Sequence, residues 1–491
     1  MGSKLVHGAR EAVDVIDNAV SSLSGHPFDV FSVSFRQPDS VLIIDAGEKD
    51  EALMVEIASK HRPDTTTRQV ASSTHELTVE LAVQGDPFTA LVDQKEAVAI
   101  NRLCCDWLKS LRKKGWVLLT STDLSAWIDE DLSTWFFARG CSDVQGDFVS
   151  LTMFKENSLL LVNGNTELRQ ALLNAVGKHM EKATAIDGHD LCVKLKTNPW
   201  DPREHLAEES ELGRRILLDL FGNFYDAWYK CAATVNLRGQ ADTIFFEKTS
   251  TKLTLNGDHE EPMHFAMMSL HGQEVIRFTD LPEPVLGQLK KCLKDEWTDG
   301  VTNEQKFEKF GAVAFHLAGR PWSCTGARAV DSRLLICKLL STLSTAGWQV
   351  EVAVDMSRDT DDKSVFILRP AKGRRQTFAT LAPAGDDALQ VLNVPADIVK
   401  KLIAVGDNGT LKLFIQKDKP IKSGHLWVLY GRPWAPNYTV HRIAARHAIG
   451  QFVSTFLDQD WRVVTSAALA CEEQPDSEVL DVHTIILAKD E

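Results

Sequence analysis

The alternation of apolar and polar positions along this chain changes period in a fixed order and then starts again. Phe28 to Phe35 alternates with period two, Gln37-Pro38-Asp39 reads as a turn, and Val41 to Ile44 returns, which is a hairpin pattern. Glu51 to His61 switches to helical spacing, with Leu53, Met54 and Ile57 on the inner face. Matching stretches start at Phe31, Phe148, Phe265 and Phe378, which are almost evenly spaced along the chain. The later three lead to apolar-periodic helices over Leu168 to Val176, Val285 to Leu293 and Ile398 to Val405. A separate amphipathic helix is expected over residues 9–23.

Each of these stretches leads to a strand that ends at a proline. Residues four and six before Pro87, Pro199, Pro321 and Pro433 are apolar in every copy: Val83 and Leu81, Leu195 and Val193, Leu317 and Phe315, Leu429 and Trp427. Proline has no N–H to give to a ladder, so it marks the strand's end. The first and last intervals between these prolines are equal and the middle one is slightly longer. An aromatic residue follows each proline: Phe88, Trp200, Trp322 or Trp434. A long helix comes next, with Leu335, Leu339, Leu340 and Leu343 making the apolar stripe of the third copy. It stops before a second aromatic, Trp116, Trp228, Trp348 or Trp461, at Gly115, Gly347 or Asp460, with Ala227 in that place in the second copy. Two further strands close each copy, for example Gln349 to Val354 and Ser364 to Arg369.

Two sets of landmarks with one period define an internal repeat. The expected fold class is α+β: four tandem diverged units of about 110 residues, a usual single-domain size. Each is ordered β-β-α-β-α-β-β, with a mixed or mostly antiparallel sheet. The expected units are 1–141 (with the N-terminal helix), 142–250, 258–371 and 372–491, grouped as two halves about the polar linker Leu255 to Pro262. The wider spacing between Pro199 and Pro321 suggests an insertion over Asp295 to Glu308.

Composition adds little: 44% hydrophobic and 25% charged residues is ordinary for a globular chain. No apolar run reaches the roughly 18 residues of a membrane span. Gly2 invites a myristoylation reading, but Val6 stands where that signal needs Ser or Thr. The nine cysteines are odd in number and do not recur with the repeat, which points to a reducing compartment, cytoplasm or nucleus. Net charge is −14, which argues against nucleic acid as a partner, yet residues 301–450 hold 21 basic and 13 acidic residues.

That local reversal is the main chemical signal. Arg320 and Arg432 precede the proline in units 3 and 4, Arg374 and Arg375 sit in a basic loop, and Arg333 and Arg446 lie near the start of long helices. Together they are candidates for gripping an anionic ligand or partner in the C-terminal half. An arginine recurs near the start of the other long helices as Arg102 and as Arg214 or Arg215, so a fixed structural role competes with that reading. Trp116, Trp200, Trp228, Trp322, Trp348, Trp434 and Trp461 are read as structural anchors bracketing the long helices, since recurrence in every copy favours packing over a ligand cage.

Metal and catalytic signals fail on detail. Asp355, Ser357, Asp359 and Asp361 alternate like a calcium loop, but Thr360 replaces the obligatory glycine and Phe366 the bidentate glutamate. In His259-Glu260-Glu261-Pro262-Met263-His264, Pro262 prevents the helix that would align both histidines. No phosphate loop, dinucleotide fingerprint or serine elbow is present, and His316 has no partner placed beside it by the sequence. No cofactor is implied. The expected function is therefore a non-enzymatic intracellular interaction or scaffold protein whose partner is another protein. The alternatives are a small-molecule or anionic-ligand binder using clefts between units, and an enzyme of a class without a recognisable motif.

Overall fold

The structure is a computed structural model describing residues 30–70, 78–125, 131–140, 146–200, 208–238, 241–250, 263–357, 362–407, 415–435, 439–474 and 477–491. The helix expected over residues 9–23, Gly2, the linker 255–262 and Asp359 and Asp361 lie outside them.

Four six-stranded sheets follow one another, each antiparallel throughout and each with the same strand order. In unit 1 a hairpin (Val30–Arg36 and Ser40–Ile44) leads to a short helix (Glu48–His61) and an edge strand (Thr66–Gln69). The proline strand (Thr78–Ala82), the long helix (Gln94–Lys113), a seam strand (Trp116–Thr122) and a closing strand (Asp131–Arg139) complete it. Across the sheet the order is edge, proline strand, hairpin, closing strand, seam strand.

The edge strand is one more element than the periodicity predicts. Its counterparts are Met180–Ala185, Val301–Phe307 and Ile415–Ile421. These strands have water on both faces, so they carry no apolar alternation to be read. The segment Asp295 to Glu308 is correspondingly not an insertion: it holds the last turn of the helix Glu283–Glu296 and the edge strand that every unit has.

The seven tryptophan anchors divide six to one. Trp116, Trp200, Trp322, Trp348, Trp434 and Trp461 are buried, whereas Trp228 is 43% exposed. The repeat is one residue out of phase there. Tyr229 opens the seam strand and is buried in the place of Trp116, and Trp228 itself takes the left-handed residue after the helix (φ 71°). It is thus the counterpart of Gly115, Gly347 and Asp460 (φ 83°, 87° and 60°), and Ala227 is not. The first anchors are fixed by polar as well as apolar contacts. The indole N–H groups of Trp200, Trp322 and Trp434 donate to the carbonyls of Ser158, Val275 and Ala388 at 3.1, 2.9 and 2.7 Å. Each of these three residues opens the same hairpin strand in its unit. Pro-Trp is therefore a device that latches the end of the proline strand onto the hairpin turn.

The units form a closed ring. Each sheet has its own helices on one face and the long helix of the preceding unit on the other. Val92, Ala97 and Val98 of unit 1 pack on Phe154, Leu160 and Val162 of unit 2. Phe221 of unit 2 meets Phe265 of unit 3, and the core of unit 3 takes in Phe378, Ala467 and Ile486 of unit 4. The long helix of unit 4 (Thr439–Leu457) then reaches back to unit 1, where Ile443 packs on Leu42 and Ile44. A β-carbon at Gly450 would stand only 3.7 Å from Val30, so the helix lies close against that sheet. Covered on both faces, hairpin strands such as Phe148–Phe154 are buried at every position.

At the middle of the ring run the seam strands Trp116–Thr122, Tyr229–Val235, Trp348–Val354 and Arg462–Gln474, each touching the next. All four carry a bulge three residues beyond the anchor aromatic, at Leu119, Ala232, Glu351 and Val464. A bulge bends a strand and increases its twist, which turns each sheet edge toward its neighbour. Hydrogen bonds tie the strands across units: Ala353 N–H donates to Thr465 Oγ1 (2.9 Å), Thr234 Oγ1 to the Ala353 carbonyl (3.0 Å), and Ser466 Oγ to Thr122 Oγ1 (2.8 Å).

Candidate functional site at the unit seams

The arginines of the long helices are brought to the seams, not to the surface. Fifteen residues before the anchor aromatic stand Asn101, Arg214, Arg333 and Arg446. At the closing seam, between units 4 and 1, the Arg446 guanidinium donates to Ser34 Oγ (2.8 Å) and Thr134 Oγ1 (3.2 Å) and lies 3.3 Å from Asp131. Arg442 donates to the same Asp131 at 2.7 Å. Burial pushes the pKa of Arg446 down, and Asp131 opposes that shift. At the third seam Arg333 donates to Gln390 Oε1 (2.9 Å) and Thr484 Oγ1 (3.2 Å). At the second, Arg214 lies 3.3 Å from His271 Nδ1, while Glu211 pairs with Arg277 of unit 3.

The first seam solves the problem from the other side. Asn101 replaces the arginine and donates to Thr152 Oγ1 (2.7 Å), and Arg238 of unit 2 reaches back to Asn101 Oδ1 (3.0 Å). Burial lowers the Arg238 pKa to about 10. The next helix position is used too. Arg102 pairs with Asp190, Arg215 with Asp280, and His447 with Asp45 at 2.6 Å. Asp45 and Asp280 belong to a repeated set, Asp45, Asn163, Asp280 and Asn393, with left-handed backbone at the end of the hairpin. Their recurrence at the period of the repeat was present in the sequence as a signal. Asp and Asn tolerate that conformation better than other side chains.

The six arginines proposed for an anionic ligand are therefore not one site. Arg333 and Arg446 are buried in different seams. Arg432 pairs with Asp386 of its own hairpin turn, and Arg374 pairs with Asp490 at 3.0 Å. Arg320 is exposed beside the hairpin turn of unit 3, and Arg375 is exposed with its carbonyl accepting from Glu491 N–H. The positive balance of residues 301–450 goes largely into such separate local and interfacial pairings.

Asp355 bridges units 2 and 3. Its N–H donates to Asp242 Oδ2, its carbonyl accepts from Asp242 N–H (both 2.8 Å), and its carboxylate accepts from Ser357 N–H. His264 of the other motif is described and His259 is not. His316 stands 3.8 Å from Glu274 at the sheet surface. Among the described residues, no group of three or more His, Cys, Asp or Glu is placed to hold a metal, and no helix is long and apolar enough to cross a membrane. Ser269 Oγ and His271 Nε2 are 2.7 Å apart, and both are buried at the seam with the long helix of unit 2.

One seam is open. Between units 1 and 2, behind the end of the unit 1 long helix, lies a cavity of about 150 Å³ lined by Trp116, Phe137, Phe148, Arg112, Lys230 and Glu247 among others. Sequence reasoning had no access to it, because its walls come from elements far apart in the chain, as the pairing of Arg112 with Glu247 illustrates.

Fold and seams define a ring-closed tandem of α+β domains held together by buried polar contacts. One domain-family model matches the chain four times, over residues 29–138, 147–253, 264–369 and 377–487. The chain belongs to that family as four tandem copies. Neither a curated protein nor a solved structure matches it.

Proposed function

We propose that this protein is a non-enzymatic tandem-repeat scaffold whose partner is another protein. The observation that carries the reading is how polar groups are distributed. Buried arginines, aspartates and histidines are committed to locking the ring, whereas the four edge strands face outward and are polar on both sides. Lysines in units 2 to 4, Arg68 in unit 1 and, in the fourth unit, Pro420 guard those edges against indiscriminate strand pairing. Recognition would then run through side chains on a rigid ring and not through added backbone strands. The rigid frame limits the ordering cost of association.

The test is lysine-directed crosslinking in the native source, followed by purification of the full chain and mass spectrometry. Lys182, Lys306, Lys417 and Lys419 lie in exposed edge strands and report on that face. The scaffold reading expects one or a few proteins crosslinked repeatedly to these lysines. Crosslinks confined to other surfaces, or a chain recovered alone, would contradict it.

A further inference from the structure

The third seam has a counterpart of the open space in the first, nearly filled. Counting from the anchor aromatics, Leu108, Arg112, Trp116 and Lys230 correspond to Leu340, Ser344, Trp348 and Arg462. The latter four line a space of only about 10 Å³. Two exchanges run in the direction of the difference. Where Val464 lines the third seam, the first has Ala232. Where Gln376 lines the third seam and accepts from Ser344 Oγ at 2.8 Å, the first has Gly146, each standing two residues before its matched Phe378 or Phe148. Gly146 has φ +52°, which glycine adopts at no steric cost. A β-carbon there would point at Arg112 and Phe148, both of which line the cavity. The opening is therefore set by residues of this seam and is not a general looseness of the repeat.

The lining offers a place for a ring and a place for one polar atom. Leu108, Trp116, Phe137 and Phe148 supply apolar wall, three of them aromatic. Aromatic walls favour an aromatic guest, through edge-to-face and offset contacts. At about 150 Å³ the cavity has the size that holds a single benzene-like ring. The polar place lies between Lys230 and Glu247, which face each other across neighbouring strands of unit 2. Glu247 Oε1 accepts from Arg112 Nε at 2.9 Å. Glu247 Oε2 stands 3.4 Å from Lys230 Nζ, inside ion-pair range but without a short hydrogen bond. One hydroxyl oxygen at an ordinary hydrogen-bond distance of about 2.8 Å from both atoms fits that spacing. A hydroxyl accepts from the ammonium and donates to the carboxylate at once, which a carboxylate or an ammonium cannot do. Lys230 is about a third exposed, so its head can turn to make the contact. Recognition then runs through one donor and one acceptor and is indifferent to the sum of charges around the lining.

We propose that the cavity between units 1 and 2 is a binding site for a neutral one-ring phenol. The ring lies against Trp116, Phe137 and Phe148, and the hydroxyl sits between Lys230 Nζ and Glu247 Oε2. Such a ligand binds inside the ring of units and needs no protein partner, so its failure and the failure of the scaffold reading are separate outcomes.

The probe is phenol, neutral at pH 7 because its hydroxyl titrates near about 10. It is titrated into the full chain by ligand-observed NMR, beside anisole (which accepts but cannot donate), cyclohexanol (a hydroxyl without the aromatic ring) and benzoate. Phenol is expected to bind one to one and saturably in the millimolar range or below, with the other three weaker. Ala232→Val copies the filled seam and should weaken phenol at least about tenfold, as a small volume change in a tight pocket can. Val464→Ala, at the third seam, should leave phenol unchanged. Lys230→Met removes one of the two hydrogen bonds and should weaken phenol roughly three- to tenfold. Because that side chain is partly exposed, this variant remains informative if Ala232→Val lowers the melting temperature. No saturable phenol binding at millimolar concentration, anisole, cyclohexanol or benzoate bound as well as phenol, or binding untouched by Ala232→Val in a folded chain would overturn the proposal.

Discussion

The closing seam and the first seam do the same job with opposite means. Between units 4 and 1, Arg442, Arg446 and His447 are all buried against Asp131 and Asp45, and Ala444, Ala445, Ala448 and Gly450 let the helix approach closely. Between units 1 and 2 an asparagine stands where Arg446 would be, the buried arginine comes from the other partner, and a cavity remains. Chain connection differs in the same sense. Units 1 and 2 are neighbours in sequence, whereas Arg446 and Ser34 are 412 residues apart. Loop-closure entropy separates the two cases by only about 2 kcal/mol, since each doubling of length costs roughly 0.6 kcal/mol. Strength alone is therefore a weak reason for the ion cluster. Specificity is a better one: a buried charge mispaired in any other packing of the units is heavily penalised. The unit that must find its partner without help from the chain carries the most demanding set of contacts.

The largest expected effect follows directly. Arg446→Ala leaves Asp131 short of a partner in a buried site and should cost about 3–5 kcal/mol. Asn101→Ala, at the equivalent place in the first seam, removes the bond to Thr152 and the one accepted from Arg238, which keeps its bond to the Ala97 carbonyl, and should cost about 1.5–3 kcal/mol. Denaturant unfolding of both variants checks the ratio; equal costs would erase the contrast between seams. Within units, Trp322→Ala should cost about 3–5 kcal/mol as the loss of a buried aromatic. Trp228→Ala should stay within about 0.5 kcal/mol, because that side chain is exposed at a helix end. Thermal melts separate these two, and a large loss from Trp228→Ala would contradict the phase shift described for unit 2. Smaller still, Val464→Ala should cost about 1 kcal/mol in the filled third seam. Ala232→Val should be neutral or slightly stabilising in the open first seam, where there is room for it.

What the chain reveals by inspection is set by what each residue packs against. Hairpins, proline strands and long helices are legible because each has one face on its own core, and Pro-Trp latches repeat at nearly fixed spacing. The edge strands are not legible: Val301–Phe307 reads as an insertion because water on both faces leaves it no period. Trp228 misleads because tryptophan is the expected anchor and the smaller Tyr229 takes that role. Arg333 and Arg446 look like surface cations because nothing local says that another sheet will cover them. Ring closure is a property of contacts hundreds of residues apart, and the sequence pattern records only its by-product, long helices with apolar residues on more sides than one core needs.

The most direct test of the closed ring is a double-mutant cycle on Arg442 and Asp131, which lie 311 residues apart and 2.7 Å from each other. Arg442→Ala, Asp131→Ala and the double variant would be compared by denaturant unfolding of the full chain. A closed ring predicts that each single change costs several kcal/mol and that the double change costs little more than one of them, a coupling of about 1–3 kcal/mol. Strictly additive costs would mean that units 4 and 1 do not meet, and the ring would be wrong.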